Sequence, residues 1–123
     1  MKKLILILVV LFLAGLVSWT VLLNNVEYVK SKNIASSNTK NLSKVSIGMS
    51  KVDLIKTMNT PSRIEVYSLG NHVIEFLFYR TRPLNAFLKD NDINFIPVAI
   101  SNDTGNVLSL QRDFYEQVIA SKK

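Results

Sequence analysis

The chain reads as an α+β protein: an N-terminal transmembrane helix, a tether, and a small domain in which a short helix packs on a four-stranded antiparallel meander with a C-terminal helix. Three observations predict this. Leu4 to Leu23 is a run of twenty residues without a charge. A helix with legible start and stop signals follows near residue 50. Alternating apolar segments separated by turn residues then continue to a final amphipathic stretch.

The apolar run comes first. At about 1.5 Å per residue it extends about 30 Å as a helix, the thickness of a bilayer core, and Trp19 near its end suits the interface. Lys2 and Lys3 ahead of an apolar run also fit a secretory signal. However, the run exceeds the usual ~7 to 15 residues of a signal core, and no A-x-A-like site follows closely. Residues 1–23 are therefore expected to be an uncleaved signal-anchor. Lys30, Lys32 and Lys40 after the span offset Lys2 and Lys3 before it, so charge counting does not decide orientation. The short N-terminal flank favours N-inside.

Asn24 to Lys40 is rich in Asn, Ser and Lys and has no apolar periodicity, so residues 24–40 are expected to be a flexible tether. Its reach, at most about 55 to 60 Å fully extended, keeps the domain close to its own membrane. The remaining segment, 41–123, suffices for one small core.

Within it, "IGMSKVDLIKTMNTPSRIEV", residues 47–66, encodes a bounded helix. Ser50 and Asp53 are spaced as a capping box, with Met49 and Leu54 placed as a hydrophobic staple. Val52, Ile55 and Met58 are expected to line its buried face. Asn59 suits a left-handed C-terminal residue, and Thr60-Pro61 forbids continuation. "RIEVYSL" and "HVIEFLFYRTR" read as a hairpin around Gly70-Asn71, with Ile64 and Val66 on one face of the first strand and Ile74, Phe76 and Phe78 on one face of the second. "LNAFLKDND" is expected to be a loop with one helical turn. "INFIPVAISN" and "NVLSLQR" form a second hairpin across Asp103-Thr104-Gly105, where Pro97 requires an edge or a bulge. "DFYEQVIASKK" closes as a helix with Phe114 and Val118 on one side.

Residues 45–66 resemble the opening of the SmpA/OmlA domain, whose pattern runs apolar, Gly-Met-Ser/Thr, a short acidic and apolar helix, then Gly-x-Pro and a strand. Gly48, Met49, Ser50, Asp53 and Pro61 carry the likeness. Asn59 stands in the place of the usual Gly, and both residues tolerate a left-handed cap. "FLFYRT" and "ISNDTGNVLSL" resemble the family's sheet, so the likeness covers Leu42 to Leu110. The resemblance implies a non-catalytic module on the extracytoplasmic side of a bacterial envelope membrane, contacting a protein partner or anionic lipid. Lipoprotein members carry a cysteine after a Leu-Ala-Gly-like segment. Here Leu13-Ala14-Gly15 is followed by Leu16, which places the chain in the inner membrane by its helix.

No catalytic or cofactor motif is present. The chain has no cysteine, which excludes thiol chemistry and disulfides. His72, its one histidine, has Glu75 three residues on, and that spacing sends the two side chains to opposite faces of a strand. No enzyme activity, metal or cofactor is expected, although a pocket around His72 and Glu75 would reopen the question. A domain that docks on an envelope enzyme is the alternative. The net charge of +6 fits a membrane surface better than nucleic acid, because no nucleic-acid motif accompanies it. In a meander, all four arginines, Arg63, Arg80, Arg82 and Arg112, fall at one end of the sheet. They are the candidate anion or partner site, with Asp90, Asp92, Asp113 and Glu116 as possible internal neutralisers.

Overall fold

The computed structural model describes residues 1–84 and 90–122. Helix α1 spans Lys2–Leu42, α2 Lys51–Met58 and α3 Arg112–Ala120. The strands β1 (Arg63–Leu69), β2 (His72–Arg80), β3 (Phe95–Ser101) and β4 (Val107–Ser109) form one antiparallel sheet in the order β1-β2-β3-β4. The α+β architecture and the meander match the expectation. Of "LNAFLKDND", residues 85–89 lie outside the described residues, and Asp92–Asn94 forms a single 3-10 turn.

The tether is the main correction. Asn24 to Lys40 is not coil but part of the same unbroken helix as the apolar run. Helix propagation from an existing helix avoids the nucleation cost that makes such a sequence marginal by itself. Its polar residues also support the helix locally. The hydroxyls of Ser31 and Thr39 donate to the carbonyls of Tyr28 (2.7 Å) and Ala35 (2.8 Å). Ser31, Ala35 and Asn38 are buried against the domain. Small side chains at 31 and 35 permit close approach, and Asn38 Nδ2 donates to the carbonyl of Arg80 at 2.9 Å. Ser31 Oγ accepts from the amide of Leu84 at 3.1 Å. The absence of apolar periodicity was therefore no sign of disorder, because this face is joined to the domain by hydrogen bonds.

Two cores sandwich the sheet. One face of β2 and β3, with Leu77, Tyr79, Val98 and Ile100, packs under α2 through Leu54 and Met58. The other, with Ile74, Phe76, Phe78 and Ala99, packs on α3 through Tyr115 and Val118. The α2 signals hold in part. Ser50 Oγ accepts from the amide of Asp53 at 3.1 Å, and Asn59 takes φ 65°. Among the described residues, no bond returns from the Asp53 side chain to Ser50. The buried face of α2 is Leu54 and Met58, whereas Val52 and Ile55 are 63% and 39% exposed. An i, i+4 pair is enough to seat an eight-residue helix on two strands.

The Gly48-Met49-Ser50 motif acts through its backbone. Gly48, at φ 92°, donates to the carbonyl of Val107 at 2.8 Å. Met49 accepts from Val107 at 2.8 Å, so this segment extends the sheet beyond β4. Pro97 is accommodated in the third strand. The carbonyl of Phe78 faces β1, where it accepts from Ser62, so its partner Pro97 turns its nitrogen toward β4. β4 pairs only with Ala99 and Ile100, so no ladder bond is lost there.

Burial raises the Tyr79 hydroxyl pKa to about 12, and that hydroxyl donates to the carbonyl of Asn59 at 3.1 Å. With an unfolded value near 10, its contribution is complete below about pH 10 and is lost as pH rises toward the folded value. Tyr79→Phe is expected to cost about 1 kcal/mol in urea unfolding at neutral pH and to remove one tyrosinate from the part of the absorbance titration that lies above the ordinary tyrosine range; Tyr115, raised by burial and by its bond to Glu65, stays in that part.

Candidate functional site

The structure brings three arginines together at one end of the sheet and commits each to an internal partner. Arg63 Nη2 donates to Asp92 Oδ1 at 3.0 Å, and its guanidinium lies 3.9 Å from the Phe78 ring centroid. Arg112 donates to the carbonyls of Asp92 and Phe95. Arg80 is buried, stacks 4.7 Å from the Phe95 centroid, pairs with Asp90 and donates to the carbonyl of Arg82 at 3.1 Å. Burial pushes the Asp90 carboxyl up, but the bonds from Arg80 and Asn94 and the charges of Arg80 and Arg63 outweigh it and hold it below its ordinary value. Arg82 lies beyond β2 and is exposed, with no side-chain partner among the described residues. Asp90 and Asp92 are the neutralisers, while Asp113 and Glu116 form no ion pair among the described residues.

Arg80→Ala is expected to destabilise the domain by about 1 to 3 kcal/mol, measured by urea unfolding, because it removes a buried stack and a charge-assisted bond together. The cost is kept modest by the partial exposure of Asp90.

His72 and Glu75 are apart. His72 Nδ1 contacts Asp103 Oδ2 at 2.6 Å on an exposed turn, whereas Glu75 accepts from Lys51 Nζ at 2.9 Å across the α2 face. Among the described residues, no three His, Asp or Glu side chains converge as a metal site. One cleft, of about 490 Å³, is open to solvent. It lies between α1 at Asn33, Ser37 and Asn38 and the α2–β1 connection at Asn59, Thr60 and Ser62.

A different surface stands out: the outer edge of β1. Arg63, Glu65, Tyr67 and Leu69 pair inward with β2, so the main-chain groups of Ile64, Val66 and Ser68 point away from the sheet. Among the described residues, nothing pairs with that edge. The side chains of Ile64 and Val66 lie on the α2 face and are 50% and 58% exposed. α2 runs alongside, since Lys51 reaches Glu75, the cross-strand neighbour of Val66. One helical turn on, Ile55 comes level with Leu77 and its neighbour Ile64. Edge strands are usually guarded by charged side chains, Pro or a bulge; between Ile64 and Leu69 β1 has no Lys, Pro or bulge, and its one charge, Glu65, is on the α3 face, where it accepts from Tyr115. Its first position as strand one of a meander was the sequence signal for this edge.

No family model matches the chain, and no curated protein or solved structure matches it.

Proposed function

We propose that this chain is a non-catalytic, membrane-anchored binding module of a bacterial cell envelope. Its apolar helix spans the inner membrane, and its domain, on the extracytoplasmic side, receives an extended segment of an envelope protein along β1. The resemblance of residues 45–66 to the SmpA/OmlA domain supports the location and the class. The 41-residue helix carrying an uncharged and fully exposed run supports the anchor. The observation that carries the binding reading is the open β1 edge. There, outward main-chain groups give affinity to an added strand and the exposed Ile64 and Val66 give it an apolar face.

Two measurements test this. Protease should digest a C-terminal tag in intact spheroplasts of cells that retain the full-length chain; protection until lysis would reverse the topology. A photo-crosslinker at Ile64 or Val66 should form an adduct that mass-maps to one extended segment of another envelope protein. Val66→Pro removes an amide that the sheet itself does not use, so the fold tolerates it. It is expected to lower the adduct yield from Ile64 about fivefold, the one lost main-chain bond weakening the added strand by about 1 kcal/mol. Unchanged yield with Pro, or equal yield from Glu65 on the opposite face, would sink the edge-binding reading.

A further inference from the structure

The segment of α1 just beyond the apolar run has a second face that the domain leaves open. Ser31, Ala35 and Asn38 dock on the sheet. At about 100° per residue, Leu22, Val26 and Val29 lie on the opposite side of the helix, and Asn33 continues that line while also bordering the cleft toward the α2–β1 connection. Leu22, Val26 and Val29 are 57%, 56% and 51% exposed, and the two valines lie beyond the apolar run, where lipid would no longer cover them. Gly15, Trp19, Leu22, Val26, Val29, Asn33 and Ser36 follow one another at intervals of four and three residues. That is the spacing of a left-handed coiled-coil seam, and it runs on from the apolar run into the following segment, apolar as far as Val29 and polar at Asn33 and Ser36.

We propose that a second copy of this chain packs along this seam, making a parallel dimer with the two domains on its outer sides. This rests on the membrane-spanning reading above. Copies inserted the same way are parallel, and the bilayer sets equal seam residues at equal height, so a second copy supplies Val26 opposite Val26 and Asn33 opposite Asn33. Val26 and Asn33 fall at a-positions and Leu22 and Val29 at d-positions. Val26 at a next to Leu22 at d is the combination that favours two strands, Val29 at d adds apolar contact without that preference, and one Asn at a pins register and oligomer number. The flanking positions place Asn25 against Lys30 and Lys32 against Ser37, with no like-charge pair. Lys40, the next a-position, ends the seam by repulsion.

The chain has no cysteine, so single-cysteine variants of the full-length protein in its own membranes give a clean test. A disulfide needs Cβ atoms about 4 Å apart, so Val26→Cys and Val29→Cys are expected to give at least about five times the dimer of Tyr28→Cys and Ile34→Cys on mild oxidation. Single-molecule photobleaching of the unsubstituted chain in native membrane particles should show two-step traces, a readout that does not depend on any substitution. Retention on carbonate-washed membranes checks the span itself. Retention with flat or displaced crosslinking, or with single-step traces, overturns the seam alone. Loss from washed membranes overturns the spanning reading and the dimer with it. Neither result bears on the β1 edge, which the crosslinks to another protein test separately.

Discussion

Phe76→Ala is expected to remove about 3 to 5 kcal/mol, a large share of a total stability on the order of 5 to 15 kcal/mol. Phe76 is completely buried in the second strand. Its ring sits 5.0 Å from Tyr115, 5.9 Å from Tyr67 and 6.0 Å from Phe114, so one side chain joins β1, β2 and α3. Alanine would leave a void that neither the sheet nor a nine-residue helix can collapse into without breaking hydrogen bonds. Tyr115, whose hydroxyl donates to Glu65 at 2.6 Å, would lose the stacking that holds it over the sheet. The check is the urea midpoint together with near-ultraviolet circular dichroism. Ile74→Val, at the rim of the same core, should cost only about 0.5 to 1.5 kcal/mol. A loss below about 1 kcal/mol for Phe76→Ala would mean that α3 does not pack here as described.

The second large effect concerns the continuity of α1. Lys32→Pro is expected to cost about 3 kcal/mol of local helix stability, because proline removes the bond to the carbonyl of Tyr28 and its ring crowds that same carbonyl. Lys32 is exposed, so the loss belongs to the backbone and not to packing. Amide exchange between residues 28 and 36 should accelerate about a hundredfold, each 1.4 kcal/mol being a factor of ten. Lys32→Ala should change it little. If this segment were coil, proline would leave exchange as fast as before. The result matters for the proposed anchoring, since under that reading a rigid α1 would hold the domain at one height and angle to the bilayer, and a coil would let it roam.

Much of the fold was legible from local rules. Ser50, Asn59 and Pro61 announced where α2 begins and ends, because capping depends on a few neighbouring atoms. The two hairpins followed from turns at Gly70 and Gly105, whose positive φ values need only the residues beside them. The order of a meander by itself placed all four arginines at one end of the sheet, and Arg63, Arg80 and Arg112 are drawn together there. What they do there was not legible. Arg63, Arg80 and Arg112 turn inward because Asp92, Asp90 and backbone carbonyls from a distant turn meet them. That meeting depends on where the segment after β2 returns, and no spacing along the chain encodes it.

The same division applies to the apolar residues. Alternation identified Ile64 and Val66 as one face of a strand, yet only the three-dimensional arrangement shows that α2 stops short of covering them. Periodicity offered Val52 and Ile55 for the core, and the sheet took Leu54 and Met58. By itself the sequence determined a membrane-length apolar helix, a capped helix, four strands in order and a closing helix. These are outcomes of hydropathy, capping and turn chemistry over a few residues. The tertiary structure alone decided that residues 24–40 stay helical, that Arg63, Arg80 and Arg112 are paired internally and that α2 leaves Ile64 and Val66 on β1 exposed. Those outcomes depend on groups that are remote in sequence and adjacent in space.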